Sequence, residues 1–87
     1  MVSRKVKIQN PTGLQLRPAG VLCKVAMEFK SVITFSYGNV SANAKSILSV
    51  LGACVKYGDE VEFTCDGVDE EEALNTIIAA IEDKFGE

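Results

Sequence analysis

The chain has 87 residues, of which 47% are hydrophobic and 24% are charged, with a formal net charge of -3 and no histidine. A chain of this length forms one domain that buries about 60–65% of the surface its unfolded form exposes. We therefore expect a single globular domain over residues 1–87, and the composition excludes disorder. The absence of histidine excludes imidazole as a base, nucleophile or metal ligand.

Hydropathy and charge exclude several classes of partner. No segment approaches the ~20 apolar residues that cross a bilayer, so membrane insertion is not expected. The basic start of the chain lacks the apolar run of a signal peptide, which favours a cytoplasmic location. Because no stretch is densely basic, direct nucleic-acid binding is not expected either.

The three cysteines, Cys23, Cys54 and Cys65, are widely spaced among apolar residues. Their odd number is atypical of a disulfide framework, and the chain has neither histidine nor a paired-cysteine motif to hold zinc. We expect reduced thiols in the core, with a reactive thiol as the alternative, and neither a metal nor another cofactor.

The first half of the chain predicts three strands and a helix. Apolar and polar residues alternate from Val2 to Ile8, which is typical of a half-buried strand. An apolar stripe at helical spacing follows over residues 16–29, with Pro18 in the first turn. Alternation over residues 32–37, a Gly38-Asn39 turn and residues 40–43 predict an antiparallel hairpin.

The second half predicts a short helix, a strand and a long helix. The short helix runs from Ser46 to about Ala53, and alternation from Val61 to Cys65 indicates the fourth strand. Asp69 and Glu72 have the spacing of a capping box at the start of the last helix. The buried stripe of that helix consists of Leu74, Ile77, Ile78, Ile81 and Phe85.

The predicted order is β-α-β-β-α-β-α. Strands with one apolar face and helices with one apolar stripe bury these surfaces by stacking on each other. We therefore predict an α+β fold in which three helices cover one face of a four-stranded antiparallel sheet.

The short helix has an unusual distribution of apolar residues. Its predicted buried stripe consists of Ile47, Val50, Leu51 and Cys54, whereas Leu48 and Val55 point to another side. This second apolar edge is either a surface patch or a contact beneath a neighbouring loop.

Two loop-to-helix junctions, residues 12–18 and 43–46, place free amides beside a cationic side chain. Arg17 lies in the first junction and Lys45 in the second, so both are candidate anion sites. The ordinary alternative is a glycine-containing loop and a capping serine.

Three segments resemble one known family. NPTGLQLRPA at 10–19 resembles the active-site segment of HPr, the histidine-containing phosphocarrier of the bacterial sugar phosphotransferase system. NAKSIL at 43–48 is similar to the regulatory-serine segment of that family, and EEEAL at 70–74 to the entry into its last helix. The resemblance covers essentially the whole chain and implies the open-faced β-sandwich of HPr.

The resemblance also implies roles for individual residues. Gln15 occupies the position of the phosphorylated histidine, and Arg17 matches the arginine that steadies the phosphate. Ser46 matches the serine modified by HPr kinase/phosphorylase, and Lys45 and Arg17 are candidates to neutralise its phosphate. The implied docking residues for partner proteins are Gly20, Lys45, Ile47, Leu48 and Leu51.

Glutamine at position 15 is typical of the catabolite-repression HPr-like (Crh) branch of the family. The resemblance implies a non-enzymatic regulator that, once phosphorylated at Ser46, acts as corepressor of a catabolite control transcription factor of the LacI type. Leu16, Gly20 and Cys54 depart from the usual family residues, which are small or alanine at the first two positions and glycine at the third.

Two other functions remain open at this point. One is a phosphocarrier whose histidine is replaced by Gln15, through engineering or divergence, and which docks enzyme I and sugar-specific carriers without transferring phosphate. The other is a small-ligand or interaction module on a generic two-layer fold. An independent enzyme is not expected, because the sequence carries neither a catalytic triad nor a metal set.

Overall fold

Four strands and three helices follow each other in the predicted order βαββαβα. The structure is a computed structural model that describes residues 1–86. The strands are β1 (Val2–Lys7), β2 (Val32–Tyr37), β3 (Val40–Asn43) and β4 (Glu60–Asp66). The helices are α1 (Leu16–Met27), α2 (Ile47–Gly52) and α3 (Glu70–Glu82), and a 3-10 turn follows at Lys84–Gly86.

The sheet is antiparallel throughout, and its spatial order is β1-β4-β2-β3. β4 is therefore a central strand, although it is the last strand in the sequence. Along β4, Val61, Phe63 and Cys65 are buried and alternate with more exposed residues. This alternation gives the sheet one face for the helices and one face for solvent, which confirms the predicted two-layer fold.

The hydrophobic core lies between the sheet and the helices. The rings of Phe35 and Phe63, paired across β2 and β4, have centroids 5.3 Å apart and are tilted by 41°. The predicted stripe of the last helix is confirmed, although its final member lies beyond the end of α3. The buried members are Leu74, Ile77, Ile78, Ile81 and Phe85. No helix within residues 1–86 is long and apolar enough to cross a membrane.

The three cysteines lie in different environments. Cys65 is buried, and burial raises the pKa of its thiol, so it fits the prediction of a core thiol. Cys23 is half-buried, and Cys54 is exposed. The prediction is wrong for Cys54, because α2 ends at Gly52 and the chain turns outward through a φ of 55° at Cys54.

The start of α3 also differs from the prediction. Asp69 is the N-cap residue, but its side chain makes no capping hydrogen bond within the described residues. Its carboxylate instead accepts hydrogen bonds from Lys30 N at 2.9 Å, from Ser31 N at 3.0 Å and from the Ser31 hydroxyl. The predicted capping box is therefore wrong, because Asp69 joins α3 to the connection between α1 and β2.

These hydrogen bonds favour the ionised form of the Asp69 carboxyl group in the folded protein. The Ser31 hydroxyl and the Lys30 amide lower its pKa to about 2, from an ordinary value of 3.8. A carboxyl group whose pKa is depressed in the folded state stabilises the protein above its unfolded pKa. That contribution is lost as the pH falls from about 4 towards about 2.

We expect Asp69→Asn to lower the midpoint of urea denaturation at pH 7, because the amide loses the charge-assisted bonds to residues 30 and 31. The difference from the wild type should shrink as the pH falls from about 4 towards 2. Asp83→Asn, an exposed substitution at the other end of α3, is the matched control. A difference that does not change with pH would contradict this role of the carboxylate.

Candidate functional site

The loop before α1 is held against the segment that follows α2. The amide of Leu14 donates a hydrogen bond to Val55 O at 3.0 Å, and Leu14 is only 2% exposed. Gly13 has a φ of +63°, and a Cβ atom built on it would lie 2.6 Å from Val55 O and 2.8 Å from Lys56 Cα. Only glycine permits both this backbone conformation and this close approach.

Gln15 follows directly and is the N-cap residue of α1. Its carbonyl accepts the amide of Ala19 at 2.8 Å, while its side chain makes no capping hydrogen bond within residues 1–86. The residue is exposed. The buried Leu14 and the first bond of α1 therefore fix the backbone of Gln15 and leave its side chain at the surface.

Arg17 and Gly20 lie on α1 beyond Gln15. Arg17 is exposed, and no carboxylate within residues 1–86 lies within ion-pair distance of its guanidinium. A Cβ atom built on Gly20 would meet no atom within 4 Å. The Arg17 charge is thus available to an external anion, and the surface beside Gly20 is open.

A cleft of about 290 Å³ separates the start of α1 from the chain that leaves α2. It is lined by Leu14, Gln15, Leu16, Leu51, Cys54, Val55 and Lys56. Neither Cys54 nor Lys56 was predicted from the sequence to lie at a site. The signal for Cys54 was present, because a family glycine at its position indicates a positive φ in a turn rather than a core residue.

α2 presents an apolar surface to solvent. It contacts α1 and β3, and Val50 is its only buried residue. Leu48 is 78% exposed and Ile47 is 37% exposed, while Leu51 is half-buried at the cleft.

The predicted buried stripe of α2 is therefore wrong for Ile47 and for Cys54. The helix is too short, and lies too far to one side of the core, to cover more than Val50. Val55, assigned to another side of the helix, lies beyond its end and is buried beneath the loop before α1.

Ser46 is the N-cap residue of α2, as the sequence predicted. Its hydroxyl oxygen accepts a hydrogen bond from the amide of Ser49 at 3.3 Å, and its own amide donates to Asn43 O at 3.0 Å. The residue is half-buried. Since α2 has six residues, Ser46 lies about 9 Å along the helix from the end that borders the cleft.

The Lys45 ammonium does not lie free beside Ser46. It donates a hydrogen bond to Phe29 O, 2.7 Å away, just beyond the C-terminal end of α1. The structure thus brings Gln15 and Leu51 together at the cleft and leaves Ser46 and Lys45 at the opposite end of α2.

Comparison with known proteins identifies the family. Residues 2–83 match the family model described as the PTS HPr component phosphorylation site. The chain is 36% identical over 84 residues to the HPr-like protein Crh of Bacillus subtilis, covering 97% of this chain and 99% of that protein. It is 37% identical over 79 residues to the phosphocarrier protein HPr of Mycoplasma pneumoniae, covering 90% of each.

A solved structure supports the same assignment. The crystal structure of HPr-C-His from Thermoanaerobacter tengcongensis superposes with a TM-score of 0.97 at 39% identity, covering 100% of this chain and 98% of that one. The chain therefore belongs to the HPr family. Its relatives include both phosphocarriers and HPr-like proteins of the Crh type.

The close approach of Gly13 to residues 55 and 56 leads to a stability prediction. We expect Gly13→Ala to lower the free energy of unfolding by about 2–4 kcal/mol, because a positive φ and a steric overlap with residues 55 and 56 add to each other. Gly38→Ala is the matched control, since Gly38 has a φ of +59° but open space around it. That control should cost about 1–2 kcal/mol in urea denaturation, and equal losses would contradict the close approach.

Proposed function

We propose that this protein is a non-enzymatic HPr-like regulator of carbon catabolite control, phosphorylated at Ser46 and acting in the cytoplasm through protein contacts. The observation that carries the proposal is the exposed glutamine at the start of α1, in the position that the family resemblance assigns to the phosphorylated histidine. The backbone of Gln15 lies at the start of α1, where the resemblance implies the phosphorylated histidine. The glutamine side chain lacks the nucleophilic nitrogen of an imidazole.

The chemistry of the amide excludes phosphate transfer at Gln15. The lone pair of an amide nitrogen is delocalised into its carbonyl, so glutamine is a very poor nucleophile, whereas imidazole offers a free ring nitrogen. Glutamine still donates and accepts hydrogen bonds at a similar reach. Docking at this surface is therefore compatible with the loss of transfer.

The surroundings of Ser46 support its modification. A phosphate adds about −1.5 to −2 charges, and such a charge is favourable at a helix N-terminus. The Ser46 hydroxyl already accepts the amide of Ser49, and a phosphate oxygen can accept the same donor. Phosphorylation is thus compatible with the native start of α2.

The exposed face of α2 supports a role in protein contacts. Leu48 and Ile47 are exposed beside Ser46, and Leu51 continues the apolar surface into the cleft. We assign docking of the HPr kinase/phosphorylase and of a LacI-type transcription factor to this surface, together with Gly20. Both partners are protein partners, so this assignment involves no cofactor and no direct contact with DNA.

Incubation with an HPr kinase/phosphorylase and ATP should add one phosphate, which mass spectrometry should locate on Ser46. Ser46→Ala should abolish the modification, because it removes the accepting hydroxyl. Ser49→Ala is the matched control in the same helix and should still accept one phosphate. An unmodified Ser46 in the wild type would refute the regulatory proposal.

A second candidate is a carrier that has lost its histidine. The cleft beside Gln15 and the exposed Arg17, which has no ion-pair partner within residues 1–86, favour it. Such a protein would still dock enzyme I and sugar-specific carriers. Gln15→His, incubated with enzyme I and phosphoenolpyruvate, should remain largely unphosphorylated if the protein is a dedicated regulator. Rapid phosphorylation of the introduced histidine, read by mass spectrometry, would support the carrier origin instead.

A further inference from the structure

The side chain of Lys45 links two elements that are distant in sequence. Its ammonium lies 2.7 Å from Phe29 O, and Phe29 directly follows Glu28, the C-cap residue of α1. The last carbonyls of a helix carry partial negative charge and lack partners within the helix. The half-buried Lys45 therefore binds the chain just beyond the negative end of the α1 dipole.

The backbone of Lys45 is held from both sides. Its amide donates to the side-chain oxygen of Asn43 at 2.9 Å, and its carbonyl accepts the thiol of Cys23 from α1 at 3.1 Å. Ser46 N in turn donates to Asn43 O at 3.0 Å. Lys45 is thus fastened to α1 by its carbonyl and to the segment that follows α1 by its ammonium.

This attachment lies directly beside the Ser46 hydroxyl. α2 has six residues, and a helix of this length is not stable by itself. The conformation of its N-cap residue therefore depends on the loop that precedes it. That loop is held at its start by the backbone bond from Ala44 N to Ile33 O at 2.9 Å, and next to Ser46 by the bonds of Lys45 to Phe29 O and to the Cys23 thiol.

We propose that Lys45 is a positioning residue for the phosphorylation of Ser46: its bond to Phe29 O holds residues 43–46, and so the accepting hydroxyl, in the orientation that the kinase recognises. The inference rests on the proposed function. It differs from the roles expected from the sequence, in which Lys45 docks partners or neutralises the phosphate, because an ammonium bonded to Phe29 is turned towards α1.

The test compares Lys45→Met with Lys24→Met in the kinase assay. Both substitutions remove one positive charge near the C-terminal end of α1, but Lys24 is exposed and makes no bond to residues 43–46. We expect Lys45→Met to lower kcat for Ser46 phosphorylation by about tenfold with KM within about twofold, because a misplaced hydroxyl slows transfer in the bound complex. Lys24→Met should match the wild type, and Lys45→Arg, which can still donate to Phe29 O, should recover most of kcat.

Amide hydrogen exchange on the free protein tests the anchoring without the kinase. In Lys45→Met the amides of Lys45, Ser46 and Ser49 should exchange at least about threefold faster than in Lys24→Met, while the amide of Phe63 in the central strand should be unchanged. A urea denaturation curve verifies that each variant is folded. If Lys45→Met does not fold, Lys45→Gln, whose shorter side chain does not reach Phe29 O, replaces it.

The outcomes separate this inference from the proposed function. A wild-type protein that accepts no phosphate refutes the proposed function, and the exchange measurement still decides whether Lys45 anchors the loop. If Lys45→Met equals Lys24→Met in kcat and in exchange, the positioning role is overturned. An increase in KM at constant kcat would also overturn it, because that result shows direct contact between Lys45 and the kinase.

Discussion

The insertion of β4 between β1 and β2 is the constraint on which the rest of the structure depends. Through it, the last strand in the sequence pairs with Val2–Lys7 on one side and with Val32–Tyr37 on the other. The buried side chains of β4 join one core with those of α1 and α3, and α3 contacts β4 and β1 directly. Because the chain must close long loops to form this arrangement, the sheet is assembled from contacts that are distant in sequence.

The apolar surface of the site is exposed because α2 covers only a small part of the core. With α1 and α3 packed over the sheet, this short helix buries only Val50 and leaves Ile47 and Leu48 at the surface. One end of α2 meets the start of α1 at the cleft beside Gln15, and the other end begins at Ser46. One helix thus extends from the cleft beside Gln15 to Ser46, which places both residues at the edges of one surface.

Two anchors, which are hydrogen bonds to backbone oxygens, lie beneath this surface. Leu14 N bonds to Val55 O below Gln15, and the Lys45 ammonium bonds to Phe29 O below Ser46. Backbone acceptors do not depend on the side chain at their position, so the anchors constrain the geometry of the site without using its exposed groups.

The sequence by itself determined the order of elements, the two-layer architecture and the stripe of α3, because periodicities of 2 and 3.6 residues record which face of each element is buried. It also determined that no imidazole chemistry takes place at Gln15. The tertiary structure decided the surroundings of Cys54, Asp69 and Lys45. From local spacing, Cys54 was predicted to lie in the core, Asp69 to cap α3 and Lys45 to serve as an exposed cation. Their actual partners, or in the case of Cys54 the outward turn, depend on which segments meet in space, and local spacing carries no information about contacts between segments that are distant in the chain.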